Sequence, residues 1–136
     1  IIRQMQKKLR ELNIPIRCQN KFLGFLRGEA GELTGVRVQK NFVYGKDEAG
    51  EEMDLYANRG IVLATGGFGA DIAFRQAQDA RLDEKIDTTN KPFATAEALQ
   101  EALRIGAKPV DLSFVQLGPW ASPDEKGYGV GPYFSE

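Results

Sequence analysis

Histidine is absent from this chain, and cysteine occurs once, at Cys18. Without an imidazole there is no Ser-His-Asp or Cys-His relay, because those mechanisms need a base that titrates near neutrality. One thiol and no imidazole also leave too few soft ligands for a transition-metal site, so no metal ligand is named. A lone cysteine makes no intrachain disulfide. Its place in the run Ile14-Pro15-Ile16-Arg17-Cys18, a strand-like stretch, makes a buried structural thiol the expectation rather than a reactive one. No apolar run nears the ~20 residues of a membrane span, and no signal peptide opens the chain. Charge of one sign is missing too: 18 basic and 19 acidic residues are interspersed, for a net charge of -1. That balance argues against nucleic acid or a basic membrane patch as partners. A soluble chain is expected, with the cytoplasm favoured and the compartment otherwise open. The acidic residues lie mostly on polar faces, so a solvated surface is the reading preferred to paired-carboxylate hydrolysis.

What is present suffices for one domain: 136 residues, 42% of them apolar. Ile2, Met5, Leu9 and Leu12 recur at helical spacing with Lys and Arg between them, and Asn13 is a plausible stop. A strand is expected from Pro15 to Cys18. Phe22–Leu26 and Leu33–Val38 flank the polar loop Arg27-Gly28-Glu29-Ala30-Gly31-Glu32, which suits a β-hairpin. Phe42–Tyr44 and Met53–Tyr56 flank a second such loop, and together these runs suggest a three-stranded antiparallel meander. Asp71–Ala80 reads as a helix capped by Asp71. Charged residues from Arg81 to Asp87 suggest a surface loop. A further helix is expected over Ala96–Ile105, with Thr95 as its N-cap, Ala98, Leu99, Ala102 and Leu103 as its buried face, and Gly106 as its left-handed stop.

The most distinctive stretch is Gly60-Ile61-Val62-Leu63-Ala64-Thr65-Gly66-Gly67-Phe68-Gly69. Its apolar start reads as a fully buried strand, since nothing polar interrupts it. Gly66 and Gly67 then allow a sharp turn or the close approach of a ligand to the backbone. A plain strand-to-helix turn and a ligand-facing turn both fit. The start of the Ala96 helix is a second place for an anionic ligand, because a helix N-terminus carries unpaired N–H groups and positive potential.

Four motifs follow in order: the Gly60–Phe68 run; Thr89-Asn90-Lys91-Pro92-Phe93-Ala94-Thr95-Ala96-Glu97-Ala98; Ile105-Gly106-Ala107; and Val115-Gln116-Leu117-Gly118-Pro119. This order resembles the flavoprotein subunit family of fumarate reductases and succinate dehydrogenases, with their flavocytochrome and ketosteroid dehydrogenase relatives. The resemblance implies an α/β fold: part of an FAD-binding Rossmann-like domain with an antiparallel β-meander. It implies FAD as cofactor and a small-molecule substrate. It further implies a parent that moves a hydride between flavin and a carbon–carbon bond beside a carbonyl or carboxylate. By the same resemblance Ala64, Thr65, Gly66 and Gly67 lie along the flavin, Thr95 and Glu97 sit near its ring or ribityl chain, and Leu23 contacts the adenine end. The family's catalytic proton donor has no counterpart here, so no catalytic residue is named.

The departures matter as well. The family's Gly-x-Gly-x-x-Gly turn, ribose acid and second glycine-rich closing segment do not occur. Residues 1–136 therefore read as an interior part of the domain, with the rest of the parent flavoprotein as partner and the isolated stretch inactive. Where the family reads Ala-Thr-Gly-Asp-Gly, this chain has Ala94-Thr95-Ala96-Glu97-Ala98. Where the family has Gln-x-His-Pro, this chain has Gln116-Leu117-Gly118-Pro119, so a histidine that helps hold a carboxylate is replaced by glycine. Trp120, Tyr128, Tyr133 and Phe134 offer either a flatter apolar wall for a larger, less charged substrate or packing at a domain edge. A non-catalytic scaffold or interaction module of the same fold stands as the alternative.

Overall fold

The computed structural model describes residues 1–46, 50–88, 90–115 and 117. Among these, three helices and one three-stranded sheet are formed: α1 (Ile2–Glu11), β1 (Lys21–Arg27), β2 (Leu33–Gln39), β3 (Glu52–Tyr56), α2 (Ile72–Gln78) and α3 (Glu97–Arg104). None of the described helices is long and apolar enough to cross a membrane.

The expected α1 is present, and the chain leaves it through Asn13 at φ 53°, a left-handed conformation that asparagine tolerates. Lys8 and Glu11 pair at 3.4 Å along its polar side. No α1 residue is buried; of its apolar stripe Ile2 and Met5 are exposed and Leu9 is half-buried. The strand expected from Pro15 to Cys18 does not form, and Cys18 is exposed. The buried-thiol reading is corrected accordingly. Pro15 has no N–H to give, and no backbone–backbone hydrogen bond among the described residues reaches residues 15–18.

The meander does form, in the order β1-β2-β3 with both pairs antiparallel. Its first turn closes through Gly31 N–H donating to Gly28 O at 3.0 Å, with Gly31 at φ 85°. Phe42–Tyr44 is not one of its strands. Asn41, at φ 57°, swings the chain out of β2's path, and β3 comes only at Glu52. Val38 and Gly35, in the central strand, are the buried residues of the sheet. Gly35 stands opposite Tyr56, where a Cβ would run into the carbonyl oxygen of Leu55. Backbone cannot give way as a flexible side chain can. Gly35→Ala should therefore lower stability by about 1–3 kcal/mol, read as a drop in the urea midpoint.

α3 lies along β1 and is tied to it at both ends. Near its start Lys21 Nζ pairs with Glu97 at 3.7 Å; at its end Arg27 Nη2 donates to Ile105 O at 2.5 Å. The second contact also sets a cation on the negative pole of the helix. Ala98 and Ala102 fill the buried side of α3, while Leu99 and Leu103 are half-buried. Gly106, at φ 102°, ends the helix. Its N–H bonds to Leu103 O and that of Ala107 to Ala102 O, the paired pattern of a left-handed stop.

The buried strand expected at Ile61–Leu63 is the largest correction. No strand is formed there, and Val62 is 90% exposed. A strand exists only by pairing, and no backbone–backbone hydrogen bond among the described residues involves Ile61, Val62 or Leu63.

Candidate functional site

The glycine run leads into α2, whose N-cap is Asp71. Asp71 Oδ1 accepts the Phe74 N–H at 2.9 Å, as its position in the sequence implies. Its other oxygen reaches much further along the chain. Oδ2 accepts the Ala96 N–H at 3.2 Å and Gln100 Nε2 at 3.4 Å. One carboxylate thus joins the starts of α2 and α3. Thr95 is therefore not the cap of α3: the N-cap is Ala96, without a side-chain cap bond of its own, and Asp71 from 25 residues away takes the N–H instead. The start of α3 consequently carries a carboxylate already, with Glu97 in its first turn. Its positive potential is partly answered from within the chain, which weakens the case for an anion bound there.

One turn into α2, Arg75 is buried, 4% exposed. Its guanidinium makes no carboxylate pair among the described contacts; instead it is ringed by backbone carbonyls. Nε donates to Leu82 O at 3.0 Å, Nη1 to Gly69 O at 2.8 Å, and Nη2 to Asp83 O at 2.7 Å and to Ile86 O. Leu82, 2% exposed, is pinned beneath this loop, so the segment expected as surface loop is anchored from inside. On the other side of Gly69, a Cβ would strike the Asn90 side chain and come within 3.2 Å of Thr88 Oγ1. Asn90 is itself held by Thr88 Oγ1, which accepts its backbone N–H at 3.1 Å and its side-chain Nδ2 at 3.0 Å.

Around this junction lies a cavity of about 310 Å³. Gly67, Phe68, Leu112 and Phe114 supply part of its apolar wall, and Thr88 and Asn90 supply polar groups. The charged side chains among its described lining residues are Arg75, Asp87 and Asp111. Since Arg75 is committed to carbonyls, the cavity offers a carboxylate no uncommitted cation from that set.

Of the seven residues singled out from sequence, Gly67 borders this cavity. Ala64, Thr65 and Gly66 precede it and are exposed with it, forming a continuous open backbone. Gly66 has φ 81°, and nothing lies within 4 Å of where a Cβ would stand at either glycine. Leu23 sits at the β1 irregularity between Phe22 and Gly24. It is 39% exposed, so burial does not explain it, and it lines a separate cleft with Arg27 and Arg37. Thr95 is half-buried, and Glu97 is exposed and paired with Lys21. Gly118, Trp120, Tyr128, Tyr133 and Phe134 lie outside the described residues. Arg75, Thr88 and Asp111 were not legible as site residues. Thr88 adjoins the Thr89-Asn90 motif, a signal that was available, but nothing in the helical pattern marks Arg75 as buried.

Beside the cavity loop, Arg81 grips Asp79 in a two-pronged contact, with Nη2 to Oδ2 at 2.6 Å. The hydrogen bond from Arg81 holds the Asp79 carboxyl below its ordinary 3.8, at about 2. Arg104 and Arg37 likewise hold Glu101 and Asp54 low. A depressed carboxylate contributes stability that is fully present above the unfolded value and lost as pH falls through the folded one. The urea midpoint should therefore decrease as pH is lowered from 3.8 to about 2. Arg81→Ala should flatten the part of that fall due to Asp79.

Residues 1–130 match the FAD-binding domain family. The chain is 40% identical over 135 residues to the acrylate reductase flavoprotein subunit of Shewanella woodyi, covering 99% of this chain and 27% of that protein. It is 29% identical over 126 residues to the NADH:acrylate oxidoreductase of Vibrio harveyi, covering 90% of this chain and 12% of that protein. The urocanate reductase of Eggerthella lenta is 28% identical over 120 residues, covering 88% of this chain and 19% of its own length. The chain thus spans about a quarter or less of the length of these relatives.

Proposed function

The chain belongs to the FAD-binding domain family, and from that premise we propose that its parent is an FAD-dependent reductase of carbon–carbon double bonds conjugated to a carboxylate or carbonyl. The observation that carries this reading is the open backbone of Ala64–Gly67 beside a largely apolar cavity. A segment without side-chain bulk at Gly66 and Gly67 fits a flat, extended cofactor, which needs close backbone approach rather than side-chain grip. Bound there, FAD supplies the hydride chemistry, while the protein supplies position and electrostatics.

The chain's own residues have limited roles in this reading. Ala64–Gly67 present backbone to the flavin, and the half-buried Phe68 and Leu112 shield one side of the cavity from water. Leu23, Thr95 and Glu97 enter the proposal as more distant contacts, since none of them borders the cavity. Residues 1–136 form an interior part of a Rossmann-like FAD-binding domain, whose dinucleotide turn and closing segment belong to other parts of the parent. By itself the stretch is inactive. The acrylate and urocanate named for its relatives favour a substrate with a single carboxylate beside the double bond. An apolar wall with two aspartates suits an uncharged substituent better than a second carboxylate.

One observation favours the alternative, a non-catalytic scaffold. Ala96 and Ala98, where the resembled family has glycine, are 1% and 8% exposed, so their methyl groups serve packing rather than ligand approach. Flavin content separates the two readings. Intact parent, purified and extensively dialysed, is expected to retain flavin absorbance near one equivalent; a colourless parent that takes up no added FAD would favour the scaffold.

A further inference from the structure

We propose that Arg75 is a positioning residue for the cofactor segment: a buried guanidinium that holds Gly69, at the end of the glycine run, in fixed relation to the cavity loop. This rests on the reading of Ala64–Gly67 as flavin-facing backbone. The support is the distribution of Arg75's partners. A buried cation is costly to keep unless its donors are satisfied, and pairing it with a carboxylate is the usual remedy. Here the acceptors are carbonyls from two separate stretches, Gly69 on one side and Leu82, Asp83 and Ile86 on the other. Helix α2 supplies the rigid base, with its own start fixed by Asp71 and its Phe74 ring set edge-on against Phe68 at 4.9 Å. Gly69 is consequently fixed twice, by Arg75 at its oxygen and by the Asn90 and Thr88 side chains over its Cα. Gly67 and Phe68, which precede it, border the same cavity as Leu82, Ile86 and Arg75 itself. Two open glycines have no conformational preference of their own, so the anchor at Gly69 determines where their backbone stands.

Charge alone cannot do this. Lysine keeps the charge but offers a single ammonium on a flexible stem, which cannot reproduce a planar fork to four carbonyls. In the full-length parent Arg75→Lys is therefore expected to raise the Kd for FAD, titrated onto apoprotein by fluorescence quenching, by roughly 10- to 100-fold. Trypsin should also cut faster after Arg81 and Lys85 in the released loop. Gly35→Ala serves as the comparator, because it weakens the β2–β3 ladder and should lower Tm while leaving the FAD Kd unchanged. Should Arg75→Lys not fold, wild-type hydrogen exchange supplies the answer. FAD binding should slow exchange at residues 66–69 and 82–86 together. The proposal is overturned by wild-type FAD affinity in Arg75→Lys, by an equal loss of affinity in Gly35→Ala at equal Tm, or by protection confined to residues 66–69. A wild-type parent that takes up no FAD overturns the flavin reading itself and this proposal with it.

Discussion

Gly67→Val in the intact parent is expected to strip the flavin while leaving the fold in place. Gly67 is not held at positive φ, and nothing among the described residues lies within 4 Å of its missing Cβ, so within this chain a β-carbon there meets neither backbone strain nor a neighbour. Loss of cofactor with an unchanged circular dichroism spectrum then reports the ligand. If flavin lies against this backbone, a β-branched side chain intrudes on it at a cost of about 3 kcal/mol, the upper range for overpacking, or roughly 10²-fold in Kd at ~1.4 kcal/mol per tenfold. Retained flavin absorbance after dialysis, together with circular dichroism, makes the measurement. Unchanged flavin content would leave Gly67 a turn residue. Gly66 is a poorer probe, because its φ of 81° makes any side chain strained with or without a ligand.

That contrast between neighbouring glycines shows where the sequence was legible and where it was not. Local signals held: the spacing of Ile2, Met5 and Leu9 gave α1, Asp71 capped α2, Gly31 closed the first turn, and Gly106 ended α3. Each depends on residues within a turn or two. The meander held as well, each strand pairing with the next along the chain, whereas runs read as strands without such a neighbour failed. Ile61–Leu63 has the composition of a buried strand, yet composition does not supply the neighbouring strand that must accept its hydrogen bonds. Pro15–Cys18 and Phe42–Tyr44 failed for the same reason. Thr95 is a good capping residue in a good place, but the Asp71 carboxylate reached the Ala96 N–H from another helix. Arg75 is the extreme case. Its burial depends on four carbonyls made available by the path of a loop, and an arginine in a short helix carries no mark of that.

The same commitment of Arg75 bears on substrate choice. Fumarate differs from a single-carboxylate enoate by one further negative charge, which must be met by donors or cations once water is excluded. Among the described lining residues of the cavity, the guanidinium faces carbonyls and the other charged groups are Asp87 and Asp111. At Gly118, aligned by resemblance with a carboxylate-holding histidine, no side chain is present to donate. Sites built around buried hydrogen bonds discriminate by up to about 10⁴- to 10⁵-fold, so losing even part of such a set should be plain in the rate. The parent, chemically reduced and assayed at steady state, is therefore expected to show kcat/KM for fumarate at least roughly 10²-fold below that for acrylate or for enoates and enones with larger apolar substituents. The discrimination should fall mainly on KM if the second carboxylate is simply unheld, and on kcat as well if it displaces the reacting carbons. Gly118→His tests the same point from the other side, since a restored donor should narrow the gap by raising kcat/KM for fumarate. Efficient fumarate reduction by the wild type would instead mean that cations from elsewhere in the parent meet the second carboxylate, and that the acidic, apolar cavity beside Gly67 does not face the substrate.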